Sequence, residues 1–404
     1  MARAAASMDV VDVVDVVDVV IVGGGVIGSA VAYFLTADAG FVGTVAVIER
    51  DPSYAHCATT RSWGGVRQQF STPENVRLSL ASLAFFRRAK ELLAVDGEGP
   101  DLAFRERGYL FLASPAGLPV LRANHDLQCA LGAEVALLDR AELAARFPWL
   151  SLDGVAAAGF GLSGEGWLDP SALLNGFRRK AQAQGARYLQ DEVVAIAREG
   201  SAVRSVALAG GKTIACGHLV NAAGPQAGRV AALAGIALPV GPRKRMTYVF
   251  DCRAQLPAMP LVIDPTGMAF RPEGDRFIAI LSPPPENDSE SDDLAEDYGQ
   301  FEQVIWPALA ARVPAFEAIK LTGAWAGLYD YNSLDRNAVI GPHPEVANFH
   351  FCNGFSGHGL QQSPAAGRAV AEVILHGAYR SLDLAALGYR RVIEGRPLEE
   401  VNVV

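Results

Sequence analysis

Cysteine is scarce and dispersed. There are five in 404 residues, Cys57, Cys129, Cys216, Cys252 and Cys352, and no two stand at the C-x-x-C spacing that a zinc site or a dithiol redox centre requires. A disulfide framework and a metal centre are therefore not expected, and a reducing, intracellular setting is. No run reaches the ~20 uninterrupted apolar residues needed to span a bilayer. Positive charge is also short: 35 Lys and Arg face 44 Asp and Glu, for a net charge of −9. The cations are scattered, whereas neutralising phosphates takes clusters of them, so no nucleic-acid partner is expected. Residues 1–8 lead into an acidic stretch, and neither a secretory signal nor an Arg-rich transit peptide is read there. A cytoplasmic location is expected.

What is present is apolar. Half the residues are hydrophobic and 20% are charged, enough at this length to bury roughly 75% of the unfolded surface in about two domains. Between residues 9 and 20 the triplet Asp-Val-Val occurs four times. Only the last copy is needed for a first strand, and the earlier ones receive no function.

The strand Val19-Val20-Ile21-Val22 runs into Gly23-Gly24-Gly25-Val26-Ile27-Gly28 and then into an apolar helix. This is a dinucleotide-binding turn. Gly23 permits the bend, Gly25 lets the backbone approach a pyrophosphate, and Gly28 lets the helix lie against its strand. Residues 44–48 read as the second strand, ending in Glu49, whose carboxylate can accept hydrogen bonds from both ribose hydroxyls and would repel a 2′-phosphate. A second match, Gly159-Phe160-Gly161-Leu162-Ser163-Gly164, lacks a following helix because Gly166 and Pro170 intervene. Gly211-Lys212-Thr213 mimics the end of a phosphate loop, but Val206 stands where its first glycine belongs.

Further along, residues 56–73 read as a loop, 75–93 as a helix, and 106–150 as an insertion of one short strand and helical pieces. A helix over 171–185, capped by Asp169 or Ser171, leads into strands at 192–196, 202–208 and 214–220. Proline-punctuated strands between 243 and 281 have the pattern of an antiparallel sheet. The acidic stretch 283–297 reads as a solvated face, with a helix over 294–311. A strand at 349–352, the turn Asn353-Gly354-Phe355-Ser356-Gly357-His358-Gly359 and an amphipathic helix over 360–375 form a second helix start able to face a ligand.

These blocks together resemble the FAD-dependent oxidoreductases of the D-amino acid oxidase and glycine oxidase class, over nearly the whole chain after residue 18. More narrowly, the chain is similar to the FAD-dependent oxidoreductase domain-containing protein 1 subfamily. The resemblance rests on Gly65-Val66-Arg67-Gln68-Gln69-Phe70-Ser71 with Pro73-Glu74-Asn75, on Pro242-Arg243-Lys244-Arg245, on the stretch from Trp325 to Asn332, on Gly341-Pro342-His343-Pro344, and on Gly354 to Gln362. It implies an α/β fold with a discontinuous Rossmann-like FAD-binding domain and a second α+β substrate domain built on an antiparallel sheet. The expected division gives residues 18–90, 151–235 and 320–395 to the first and 91–150 and 236–319 to the second, with tails at 1–17 and 396–404.

The resemblance places Gly23, Gly25, Val26, Ile27, Gly28, Glu49 and Arg50 at the ADP half of FAD, with Val193, Ala223 and Gly224 near the adenine. Arg61, Ser62 and Gly65 would pass the isoalloxazine; Gly354, Phe355, Ser356, Gly357, His358, Gly359 and Leu360 would reach its pyrimidine edge. The candidate catalytic residues are Arg67, Tyr329, Arg271, Gln361 and His358.

Departures from relatives sharpen this. The cysteine through which monomeric sarcosine oxidases attach flavin falls at Gly327, so non-covalent FAD is implied. Their lysine after the glycine-rich turn is Gln361 here, and the arginine of glycine oxidases is Tyr329. Another cation must hold a substrate carboxylate; Arg67, Arg271 and Arg245 are the candidates, since guanidinium binds carboxylate through two parallel bonds.

Several residues carry two readings. His358 contacts the flavin or is packed to hold its turn. His56 beside Cys57 is a surface histidine in preference to a covalent flavin site. Trp325 and Tyr331 pack a strand end, whereas Tyr329 faces substrate, and Arg243-Lys244-Arg245 is a solvated cluster or a ligand site.

The implied activity is oxidation of the C–N bond of a small amino or imino acid, or its N-alkylated form, by hydride transfer to flavin N5, with oxygen or an electron-transfer partner as acceptor. Flavin carries the hard chemistry, so no catalytic dyad is obligatory. The alternative implied by the subfamily is a non-catalytic flavoprotein assisting respiratory complex I assembly, peripheral to the inner membrane. A pyridine-nucleotide-dependent disulfide reductase is disfavoured by the missing C-x-x-C.

Overall fold

The computed structural model describes residues 15–402. An eight-stranded sheet contains the path Val339–Pro342, Phe349–Asn353, Thr213–Asn221, Asp15–Val22, Val45–Glu49, Arg187–Gln190. Along this path the pairings are parallel except that Val339–Pro342 runs against its neighbour. Val193–Glu199 and Ala202–Leu208 extend it as an antiparallel pair joined to Thr213–Asn221.

Both faces of this sheet are covered, which is why its strands are near-continuous apolar runs. On the first strand Val19 and Ile21 join one core with helices Val26–Ala37, Pro170–Ala183 and Gly359–His376. Val17, Val20 and Val22 join another with the antiparallel pair and helix Ala227–Leu233. The third Asp-Val-Val copy belongs to this strand, correcting the expectation that only the fourth is needed: Asp15, Val16 and Val17 pair with Ile214, Ala215 and Cys216. The two earlier copies lie outside the described residues.

A second eight-stranded sheet follows the order Ile319–Asn332, Val240–Cys252, Arg276–Leu281, Met268–Glu273, Leu261–Ile263, Tyr109–Ala113, Ala157–Gly161, Val135–Asp139. It is antiparallel except between Leu261–Ile263 and Tyr109–Ala113. Ala157–Gly161 and Ile319–Asn332 pair here, although the expected boundaries put both with the dinucleotide-binding part. Strand character is local, but the sheet a strand joins is set by partners far along the chain. Its core includes Phe250, Phe270, Phe277 and Phe316, packed edge-on or stacked.

Two helices end differently from expectation. The helix read over 75–93 is Pro73–Phe86 followed by the separate turn Ala89–Leu92, a break that brings Ala89 and Leu93 into the core. The helix read over 294–311 begins only at residue 299, with a π turn over Phe301–Ile305 before Trp306–Arg312. Asp293 and Asp297 accept the Ala295 and Gly299 amides, and such local side-chain bonds compete with a helix. The acidic stretch is not simply solvated either. It is laced to the cluster that begins the long strand, through Arg243 with Glu290, Lys244 with Asp293 and Arg245 with Asp288.

Candidate active site

The parallel strands ending at Val22, Glu49 and Asn221 bring their carboxyl ends to one side of the sheet, where doubly wound folds bind ligands. One continuous cleft begins there. It is lined by Gly23, Gly25, Glu49, Val193 and Ala223 at one end and by Arg67, Tyr329, His358 and Gln361 at the other.

At the first end Gly23 is left-handed, φ +98°, and a side chain on it would strike the Ala222 carbonyl. One on Gly28 would strike the Gly23 carbonyl. The turn is therefore closed backbone on backbone, and Gly25, at the helix N-cap, has no side chain to cap the amides that follow it. Val26 and Ile27 line the cleft beside it; Gly28 does not, its part being the packing of helix on strand. Glu49 accepts the Gly24 and Asp51 amides, one on each carboxylate oxygen, both at 2.8 Å. Each oxygen keeps acceptor capacity for a ribose hydroxyl. Arg50, Ala223 and Gly224 line the same end.

Two wall residues went unread in the sequence. Thr59 Oγ1 accepts the Val26 amide at 3.2 Å, and the buried Tyr54 hydroxyl lacks a hydrogen-bond partner among the described residues while lining the cleft. Neither lies in a recognisable motif, because each acts through a fold-back of the loop after Glu49. A glycine-rich helix start whose Val26 amide alone is taken by Thr59, a carboxylate with spare acceptors and a wall hydroxyl without a partner among the described residues fit the ADP half of FAD.

In the middle, Arg61, Ser62 and Gly65 line the cleft, with Arg61 fixed to the Ala55 and Ala326 carbonyls at 2.9 and 2.6 Å. Its NH2 also meets His56 Nδ1 at 2.9 Å. Gly327 lines this part too, where a cysteine would be needed for a thioether. Cys57 is a wall residue whose thiol pKa is raised by burial, which keeps it protonated.

The second end is built by the turn at 353–359. Phe355, Gly357, His358, Gly359 and Leu360 line the cleft, whereas Gly354 and Ser356 do not. Those two shape the turn: both have positive φ, and Ser356 Oγ accepts the Asn332 amide at 3.0 Å. The helix Gly359–His376 starts after His358 without a side-chain cap, so a second set of amides opens toward the cleft.

Arg67 lies here, 2% exposed. Its guanidinium stands 4.1 Å from the Phe70 ring centroid and donates to the Gln69 and Asn402 carbonyls and to His358 Nε2, the last at 3.1 Å. Two of its five N–H donors have no acceptor among the described residues. Among the described residues no carboxylate lies within ion-pair distance of it. Because arginine only donates, His358 Nε2 is the acceptor and its proton sits on Nδ1. Burial first, and then the Arg67 charge, hold the His358 pKa well below its ordinary value, so the ring is neutral. His358 thus both lines the cleft and is packed, edge-on to Phe70. Gln361 Oε1 accepts the Arg67 amide at 2.7 Å, fixing the arginine main chain.

The other two guanidiniums fare differently. Arg271 does not reach the cleft lining; it pairs with Glu273 and bonds the Trp63 carbonyl at 2.8 Å. Arg245 does line it but is held by Asp288. Tyr329 is a wall residue, its hydroxyl pKa raised by burial. Trp325 and Tyr331 stand outside the lining, the first donating to the Arg61 carbonyl and the second stacked under Arg243. Asp330, also unread in the sequence, lines the cleft; burial raises its carboxyl pKa to about 6, and it accepts the Phe355 amide.

Two glycine-rich helix starts joined by one cleft, with a buried guanidinium at the far end, are the arrangement of a flavin-dependent oxidoreductase. The chain belongs to the FAD dependent oxidoreductase family known as DAO, which matches residues 18–373. It is 43% identical to FAD-dependent oxidoreductase domain-containing protein 1 of Bos taurus, over 94% of this chain and 86% of that one. Among solved structures it is similar to L-proline dehydrogenase from P. horikoshii, with TM-score 0.83 and 26% identity over 95% of this chain and all of that one. It also resembles glycine oxidase from Geobacillus kaustophilus, with TM-score 0.78 and 24% identity over 93% and 98% of the two chains, a likeness of fold. The chain is accordingly an FAD-dependent oxidoreductase related to amino acid oxidases. Among the described residues no helix is long and apolar enough to cross a membrane.

Proposed function

We propose that this protein oxidises the C–N bond of a small amino or imino acid, with Arg67 holding the substrate carboxylate. The observation that carries the reading is that Arg67 lines the cleft, is buried, and has no carboxylate partner among the described residues. A buried cation in that state is stabilised by an anionic ligand. The relatives and neighbours named for proline and glycine support the same class of substrate.

FAD, when bound, supplies the acceptor for the two electrons removed from the C–N bond. The chain's own residues do the rest. Arg67 offers its two remaining donors to the carboxylate, and Gln361 and His358 fix its direction, so that the substrate is presented in one orientation. The neutral His358 adds no second positive charge, which favours approach of an amine. Leu261, Ile263, Ala269 and Ile280 form an apolar wall that excludes water from the reacting atoms.

The test is an anaerobic screen of the flavin-loaded protein against sarcosine, dimethylglycine, proline, pipecolate and D-amino acids. Bleaching of the flavin by a carboxylated amine is expected. With that substrate, Arg67→Ala should lower kcat/KM by about 10- to 100-fold, the range for losing a charge-assisted hydrogen bond, while the protein keeps its flavin. Unchanged kinetics would remove Arg67 from the substrate site. Absence of bleaching by every amine would favour the non-catalytic reading.

A further inference from the structure

Two guanidiniums line the far end of the cleft, in opposite electrostatic states. Arg67 faces no carboxylate among the described residues. Arg245, 5.1 Å from the Tyr329 ring centroid, is gripped by both oxygens of Asp288 at 2.7 Å. The two side chains of that pair are 5% and 12% exposed, so little water screens them.

Asp288 is also well anchored. It sits in the segment between the strand Arg276–Leu281 and the helix that begins at residue 299, and the same segment is tied down by Asp292 with Arg229, Asp293 with Lys244 and Glu290 with Arg243. Withdrawing Asp288 would disturb this whole series of pairs. A guanidinium already holding a bidentate carboxylate has no net charge to offer a second one, and the aspartate repels any anion that approaches. Arg245 Nε is buried without an acceptor among the described residues, so the group would remain a competent anion site if the aspartate charge were absent.

We propose that Asp288 is a specificity-determining residue: by occupying Arg245 it restricts the cleft to substrates with one carboxylate and rejects dicarboxylic amines. This rests on the reading that Arg67 holds the substrate carboxylate.

Non-oxidisable acids test it without turnover. Dissociation constants are read from perturbation of the bound flavin's visible spectrum for butyrate against succinate and for pentanoate against glutarate, pairs that exchange a terminal methyl for a carboxylate. In the wild type each diacid should bind at least tenfold more weakly than its partner; binding within threefold overturns the proposal. In Asp288→Asn both diacids should tighten at least tenfold while the monoacids stay within threefold, and failure of the diacids to gain overturns it. Asp288→Ser serves if Asp288→Asn does not retain flavin, and if neither retains it the wild-type ratio decides. The double variant Arg245→Met/Asp288→Leu, which removes both charges, should show no diacid gain, and a gain there also overturns the proposal. Arg67→Ala separates the underlying reading: monoacids that bind it undiminished refute the role of Arg67 while leaving the diacid ratio to be judged by itself. If neither monoacid binds the wild type, both are refuted.

Discussion

Gly28 shows how much a single missing methyl group decides. Its α-carbon sits against the Gly23 carbonyl with no room for a side chain, so an alanine there must push the helix off its strand and open the turn. Gly28→Ala is expected to fold around its remaining core but to emerge colourless, which absorbance of the purified protein near the flavin bands would check. Glu165 is a different kind of residue. Its carboxylate is fully buried and accepts the Gln68 amide and the Gln69 side-chain amide at 2.6 and 2.8 Å, yet burial outweighs these bonds and raises its pKa to about 7. From about pH 4, near the unfolded glutamate pKa, to about pH 7 the native protein therefore holds more protons here than the unfolded chain, and this residue's contribution to stability falls as pH rises. The urea midpoint of the wild type minus that of Glu165→Gln should fall across that window; a flat difference would exclude Glu165 as the titrating group. At this scale the sequence was readable where chemistry is local. Gly23, Gly25 and Glu49 announced themselves by spacing, whereas Thr59, Asp330 and Asp288 did not, because each matters through a partner between 25 and 43 positions away. Gly354 and Ser356 were read as ligand contacts because a small residue in a turn serves backbone conformation or close approach equally well, and composition does not separate the two.

Among the elements, the helix Gly359–His376 does the most to connect cofactor end and core. It carries Pro364 in its second turn, which removes an amide; Ser363 Oγ bonds the Leu360 carbonyl instead, at 2.8 Å. Further on, Gly367 crosses the helix Val26–Ala37 so closely that a β-carbon would lie 2.7 Å from Ala30 Cβ and 2.9 Å from its carbonyl carbon. Both helices present amides to the cleft, so this crossing fixes the distance between the two helix starts. Gly367→Ala should cost about 1–3 kcal/mol of overpacking, read as a lower urea midpoint, and should weaken flavin retention in the same protein. These two helices were legible from their apolar spacing and glycine-rich starts. Their close contact was not, since nothing near Gly367 in the sequence points to Ala30.

For the molecule as a whole, the segment before Asn402 acts as a strap. Glu400 is fully buried and accepts hydrogen bonds from Ser71, Thr72 and Asn75, while Asn402 places its carbonyl on Arg67. Composition gave no hint of this, and residues 396–404 were expected to be a tail. Glu400→Ala would strand several buried donors, at about 1–3 kcal/mol for each one left unsatisfied, and loosen the Arg67 guanidinium. A lower urea midpoint together with a raised KM for a carboxylated amine is the expected result; a stability loss with KM unmoved would confine the strap to a structural role.

The strand Asp15–Val22 finds one neighbour soon, in Val45–Glu49, but the other only in Thr213–Asn221, about two hundred residues later, and that strand in turn waits for Phe349–Asn353. During translation the first glycine turn must therefore emerge long before the sheet that supports it is complete, its valines unshielded on both faces. Coenzyme uptake is consequently a late event, and a cell short of riboflavin would accumulate chains whose sheet has closed around an empty cleft.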